Sequence, residues 1–262
     1  MSVKEKMTAI ADRLRLHNGT TDTLNLDEMV SEIDRATLQM YKVFSETDAF
    51  YGTELPEAFW DVLQIKGQRT DYSNMFSGNL MTDETFKPKY PMHVTNALRM
   101  FQANNNITDL SGVVMDFSEC CDFSVAFNGM QNLVKFGNIS TVGANEVYRA
   151  FVGCKNLKEI GDFTVKAETT FDNVFANCGA LEKITFKGVI GQDLKIVHSP
   201  LNRASIESIV GCLSSDAEGK TLTLKSGIVN TAFETSDGAG DGESAFLAFI
   251  DELGKDNWNI SY

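Results

Sequence analysis

The chain has 262 residues, of which 43% are hydrophobic and 23% charged, and this ordinary globular composition excludes a disordered tail. Its formal net charge of −13 disfavours a nucleic-acid partner, because an acidic surface repels the phosphate backbone. No apolar run approaches the roughly 20 residues needed to cross a bilayer. Charged and apolar residues alternate over 1–17, so we expect no signal peptide, no anchor and no membrane insertion.

Residues 1–36 are predicted to form a small helical hairpin. Ser2 followed by Glu5 suits a capping box, and Asn25 begins a second short helix. A hairpin this short cannot bury its own apolar stripe, so it should pair with copies of itself or with another protein. The stripe, which is the predicted attachment and oligomerisation surface, consists of Val3, Met7, Ile10 and Leu14.

Residues 69–198 carry an internal repeat, after an irregular N-terminal cap or linker predicted over 37–68. Phe127, Phe151 and Phe175 recur at intervals of 24 residues, and a Leu follows each of them six positions later. Weaker copies contain Phe101 and Phe76, which makes four or five coils. Cys154 and Cys178 occupy the position that Met130 holds in the preceding copy, and the two cysteines are expected to be small buried apolar residues stacked along the core.

This period predicts a solenoid, because one unit cannot enclose its own Phe, Cys and Leu side chains, whereas stacked units bury them against their neighbours. The Leu-x-x-Ile segment of each unit should be a short strand on one side of the solenoid. The Ala-Phe-x-x-Cys segment should be a turn or a short helix on the other side. The predicted fold class is therefore an α/β repeat solenoid whose short strands stack in a parallel sheet.

Residues 199–262 are predicted to cap the solenoid and shield its last coil. Asn202 is a suitable N-cap for a helix that carries Ile206 and Ile209 on its apolar face. The alternating residues 220–224 predict a strand. After a Gly-rich loop, a helix over 245–253 and a strand over 258–262 complete the expected cap.

The repeat over 142–160 resembles the BspA-like leucine-rich repeats of bacterial surface and phage proteins, through its Val-Gly, Ala-Phe, Cys and Leu-x-x-Ile positions. Residues 70–76 resemble related repeats that carry a Met-Phe pair. Residues 4–33 resemble the N-terminus of tail-associated proteins from phages and prophages of Gram-positive bacteria, and the ending over 199–224 is similar to what closes such repeats in those proteins. The chain departs from the family pattern because it has no regular Ile-Pro strand, so coil lengths are expected to vary.

We predict no catalytic, cofactor or metal site. Gly219-Lys220-Thr221 fails as a phosphate-binding loop, since Ser214 stands where that motif needs a Gly. The spacing of Asp237 and Asp241 is not that of an EF-hand. The three histidines lie far apart in the sequence, and the five cysteines form no CxxC pair.

The outward residues of the predicted strands form the candidate partner-binding surface, because residues between inward Leu and Ile point away from the core. Their mixed charge suits a protein or a glycan, although a merely solvated face has the same sequence pattern. These residues are Thr108, Asp109, Lys135, Lys158, Glu159, Glu182 and Lys183.

The resemblance to these repeats, together with the lack of a recognisable catalytic, cofactor or metal site in the sequence, predicts a non-enzymatic virion structural protein of a phage or prophage tail or baseplate region. Such a protein would contact other virion proteins through 1–36, assemble as a homo-oligomer, and display the solenoid for adhesion to a host-surface protein or glycan. One alternative is a BspA-like adhesin of the bacterial cell surface. The other is a purely architectural or decoration protein of the virion with no receptor.

Overall fold

The structure, a computed structural model, describes residues 71–88, 91–234 and 241–262, all of which belong to the second of two units in the chain, Phe50–Tyr262. The hairpin predicted over 1–36 and the linker predicted over 37–68 lie outside the described residues. The described chain forms a parallel β-solenoid of about six turns, so the predicted solenoid is confirmed.

Short parallel strands build the solenoid, and successive coils pair through them. Strands β2, β4, β6 and β7 follow one another in a single sheet, and β5 pairs with the long strand β6 in that sheet. Strand β1 pairs with β3, and β8, β9 and β10 form a separate three-stranded sheet. The strands are β1 (Met92–His93), β2 (Asp109–Leu110), β3 (Met115–Asp116), β4 (Lys135–Phe136), β5 (Ile139–Ser140), β6 (Glu159–Val165), β7 (Lys183–Gly188), β8 (Leu194–Ile196), β9 (Thr221–Leu224) and β10 (Asn259–Ser261).

A continuous column of phenylalanine rings forms the centre of the core. Neighbouring rings are stacked with centroids 4.9–5.8 Å apart and planes inclined by 18–28°, and each residue is at most 1% exposed. Since aromatic pairs in offset contact add to the free energy gained by burial, every coil is stabilised by the next. The column confirms the repeat alignment, including its two weaker copies, and consists of Phe76, Phe101, Phe127, Phe151 and Phe175.

The segments that carry these phenylalanines are turns and not helices. The amides of the first four column phenylalanines donate to carbonyls of the following coil, as in Phe127 to Ala150 (2.8 Å) and Phe151 to Val174 (2.9 Å). Two backbone positions in each turn, four residues apart, are left-handed, with φ between 52° and 77°. The paired positions are Asn74 and Gly78, Arg99 and Ala103, Val125 and Gly129, Arg149 and Gly153, and Asn173 and Asn177.

Among the described residues, helices occur only after the repeat, so the repeat region is a β-solenoid and the helical part of the predicted α/β class is confined to the C-terminal cap. The left-handed residues explain this difference, because a helix cannot continue through them. Helix α1 (Arg203–Cys212) begins where predicted, with the Asn202 side chain accepting the Ser205 amide at 2.9 Å. Helices α2 (Ile228–Phe233) and α3 (Gly242–Glu252) follow.

Side chains cap both edges of the main sheet. At the β2 edge, the Asp83 carboxylate accepts the amides of Thr108 (2.7 Å) and Asp109 (3.2 Å). At the β7 edge, helix α1 packs against the strand, and the hydroxyl of Ser205 accepts the Ile184 amide at 2.9 Å. The Ser208 hydroxyl accepts the Phe186 amide at 3.1 Å. These contacts satisfy the edge amides that would otherwise be available to pair with another strand.

Replacing both serines, Ser205→Ala and Ser208→Ala, is expected to lower the free energy of unfolding by about 2–4 kcal/mol, because two amides at the buried edge lose their acceptors. Chemical denaturation would measure this loss. Thr231→Ala on α2 is the matched control, because that hydroxyl makes only a 3.5 Å contact within its own helix, and it should change stability by less than about 0.5 kcal/mol. A double variant as stable as the control would show that the hydroxyls do not cap the strand.

Candidate functional site

Four residues of the predicted partner-binding surface begin strands β2, β4, β6 and β7, and the other three directly precede such a residue in the chain; we call this surface the strand face. Four of them are in direct register on adjacent strands, one per coil, so the chain's repeat brings together residues up to 74 positions apart. Six are exposed and Glu159 is half-buried. The strand face consists of Thr108, Asp109, Lys135, Lys158, Glu159, Glu182 and Lys183.

Charges along the strand face alternate in sign and partly compensate one another. The Lys183 ammonium contacts the Glu159 carboxylate at 2.5 Å, and beside them Lys187 lies 3.5 Å from Asp162. Both pairs are substantially exposed, so each contributes little to stability. The strand face is therefore an exposed, polar surface of mixed charge, which suits contact with another surface more than enclosure of a small apolar molecule.

Thr108 is tied to the preceding coil through Asp83. The Asp83 carboxylate accepts from the Thr108 amide, the Thr108 hydroxyl and the Asp109 amide. Burial alone would raise the pKa of Asp83, but these hydrogen bonds outweigh burial and lower it. The Thr108 end of the strand face is consequently held rigidly.

A charged cluster that the sequence did not reveal joins two coils at His93. Its Nδ1 lies 3.2 Å from Asp116 Oδ2, and its Nε2 lies 3.1 Å from Glu119 Oε2. Since ionised carboxylates only accept hydrogen bonds, both contacts are satisfied together only by the doubly protonated imidazolium. The hydrogen bonds that His93 donates to Asp116, first, and to Glu119, second, raise the pKa of His93 above its ordinary 6.5. Because the carboxylates lie on opposite sides of the ring, the cluster cannot close around one metal ion.

The pKa of His93 gives a pH dependence of definite sign. A group whose pKa is higher in the folded state contributes its full stabilisation below the unfolded value of 6.5, and loses it as pH rises through the folded value. We expect the stability difference between the natural chain and His93→Gln to reach about 1 kcal/mol near pH 5.5 and to shrink towards pH 8.5. Denaturation of both proteins across this range would measure it. A difference that grew with pH would contradict the assignment.

The repeat cysteines are buried structural thiols. Cys154 donates to the Phe127 carbonyl at 3.1 Å and Cys178 to the Phe151 carbonyl at 3.0 Å. Burial raises the pKa of Cys154 well above its usual value and that of Cys178 to about 12. These thiols therefore carry almost no thiolate at neutral pH, and they lack the activation that a nucleophile needs. Cys121, by contrast, is exposed.

Two of the grooves on the described surface have linings that do not gather the groups a reaction centre needs. One is mainly apolar and is lined by Phe86, Lys87, Pro88, Pro91, Gly112, Val113 and Val114. The other is lined by Thr170, Phe171, Asp172, Asn173, Gln192, Asp193 and Lys195. Within the described ranges there is no group of three or more His, Cys, Asp or Glu that could hold a metal ion, and no helix there is both long and apolar enough to span a membrane.

Searches of known protein families, of curated proteins and of solved structures found no match to this chain. The resemblance to BspA-like repeats therefore stays a prediction from the sequence. The attachment residues Val3, Met7, Ile10 and Leu14 lie outside the described residues, as does Asp237. Asp241, which the sequence left as a loop carboxylate, is the N-cap of α3 and accepts the Ser244 amide at 2.6 Å.

Proposed function

We propose that this chain is a non-enzymatic structural protein of the tail or baseplate region of a phage or prophage, which displays its solenoid for adhesion to the host surface. The observation that carries the proposal is the capped solenoid itself. A stacked aromatic core and side-chain caps at both edges of the main sheet make a rigid body that keeps the strand face exposed. A rigid, preorganised surface loses little entropy on binding a partner.

The polar, exposed strand face supports recognition of a protein or a glycan, since both can be bound through arrays of hydrogen bonds and ion pairs. Attachment to other virion proteins is assigned to 1–36. The charge compensation within the strand face also favours a second candidate, a purely architectural virion protein, because such a face remains well solvated without any ligand.

Binding of the fluorescently labelled full chain to intact Gram-positive cells tests adhesion. In the test variant, the seven strand-face residues become Ala. The control variant instead carries Arg99→Ala and Arg149→Ala, two exposed charges on the turn side of the solenoid. We expect binding to fall at least about 10-fold in the first variant and to persist in the second. Failure of the natural chain to bind any cell of a broad panel would overturn adhesion, and detection of the chain in purified particles would then favour architecture.

A further inference from the structure

The strand face contains a row of four charges whose order is self-complementary. Asp109, Lys135, Glu159 and Lys183 are register partners on β2, β4, β6 and β7, so one charge of alternating sign occurs at each coil. Reading the row backwards exchanges every sign. A second copy facing this row with its solenoid axis reversed would therefore meet an opposite charge at every level.

In this reversed arrangement, the two copies are related by a two-fold axis that is parallel to the strands and lies midway between Lys135 and Glu159. It places Asp109 opposite Lys183 and Lys135 opposite Glu159, and each contact occurs twice because the interface is isologous. Shifting the register by one coil brings Asp109 against Glu159 or Lys135 against Lys183. Aligning the two solenoids in parallel and in register sets each charge against its own kind, and a parallel offset of one coil joins three opposite pairs but leaves one charge of each copy without a partner. Among these alignments, only the antiparallel one with the axis at this position gives all four charges of each copy an opposite charge, so the row favours it over the others.

The residues beside the row are compatible with the same arrangement. The axis places Lys158 opposite Val134 and Glu182 opposite Thr108, so it creates no pair of like charges. The strand face carries three carboxylates and three ammonium groups and is neutral, whereas the whole chain carries −13. It is therefore a surface on which two acidic copies can approach without local repulsion.

We propose that the strand face binds a second copy of this chain as an antiparallel, two-fold symmetric pair. Exposed ion pairs contribute little each, so the pairing is weak, with a dissociation constant on the order of 0.1–1 mM, and weakens with added salt. Self-association through this face does not depend on which host molecule the solenoid binds. It is measured on the purified chain without cells, so its failure is distinguishable from a failure of adhesion.

Two single charge reversals test the pairing. In Lys135→Glu the row becomes three negative charges followed by one positive, so two identical copies face each other with two like-charge contacts. Glu159→Lys has the corresponding defect with positive charges. When the two variants are mixed, all four contacts again join opposite charges. Each variant should therefore associate poorly with itself and well with the other.

Titration of full-length Lys135→Glu, labelled at its N-terminal amine, with unlabelled Glu159→Lys measures this mixed association. We expect it to be at least about 10-fold tighter than either variant with itself, and to weaken as salt is raised from about 50 to 500 mM. Any assembly through the N-terminal region contributes equally to all titrations. Lys195→Glu reverses an exposed charge on β8, in the three-stranded sheet. It is the matched control and should associate as the natural chain does.

Retained circular dichroism and cooperative unfolding show that each variant is folded. Mixed and self titrations that agree within about 3-fold, at concentrations up to about 1 mM, would overturn the proposal, as would loss of self-association in Lys195→Glu. Stronger association in the mixture cannot result from ion pairs within one chain, because each chain keeps its own disrupted row after mixing.

Discussion

Phe151→Ala is expected to lower the free energy of unfolding by about 3–5 kcal/mol. Phe151 is fully buried, and its ring stacks on Phe127 at 4.9 Å and on Phe175 at 5.7 Å, while Phe136 meets it edge-on at 5.4 Å. Removing the ring leaves a cavity that the flanking coils cannot close, because their backbones are held at a fixed spacing by hydrogen bonds such as Phe151 to Val174.

Equilibrium denaturation of the full chain, followed by circular dichroism, would measure this loss. Leu247→Ala on α3 is the matched control, because Leu247 is 51% exposed and its truncation should cost less than about 0.5 kcal/mol. A Phe151→Ala protein within about 1 kcal/mol of the natural chain would show that the coils are stable without the aromatic column.

Gly188→Ala is expected to cost at least about 3 kcal/mol or to prevent folding, for two reasons that act together. Gly188 ends β7 with φ +89°, a conformation that strains any residue with a Cβ. An added Cβ would also overlap the carbonyl oxygen of Val165 on the paired strand β6. Because that obstacle is backbone, relief requires the two strands to separate.

Two further Gly→Ala variants isolate the two causes. Gly219 has φ +69° but open space around it, so Gly219→Ala should lose only the strain term of about 1 kcal/mol. Gly112 has open space and no left-handed φ, so Gly112→Ala should be nearly neutral. Thermal unfolding of the three variants would rank their stabilities, and we expect Gly112→Ala to be the most stable and Gly188→Ala the least. Equal stability of Gly188→Ala and Gly219→Ala would contradict the close strand approach.

The repeat could be predicted because every coil has the same packing requirement, which recurs at a regular interval in the sequence. Each coil must bury an aromatic ring at the same place, so Phe127, Phe151 and Phe175 recur at a visible period, and that prediction is confirmed. The helix after Asn202 could also be predicted, because an N-cap is a local device whose residues are adjacent in the chain. The residues of the strand face were predicted from the same repeat, as the residues that lie between the buried Leu and Ile of each unit.

The left-handed turns could not be predicted from residue types. A glycine signal is present at Gly129 and Gly153, but Arg99, Val125 and Arg149 hold the same conformation without one. Only the hydrogen bonds to neighbouring coils hold such residues there, since the local preference of a β-branched or long side chain is against it. The choice between turn and helix therefore stayed open at the level of sequence.

The His93 cluster and the edge caps were missed for a related reason. His93 and Asp116 lie 23 residues apart, close to the repeat length, and that spacing was the available signal. Ser205 and Ser208 have no such signal, because a helix and a strand edge meet there without sharing the period.

The sequence by itself determined that the chain coils, which side chains enter the core, and which charges line the strands, because periodic burial leaves a periodic pattern in the residues. Only the tertiary structure decided that the repeat is a β-solenoid of left-handed turns, that its sheet is capped at both edges, and that the charges alternate in register. Each of these features depends on contacts between coils, and such contacts form only after the coils have stacked.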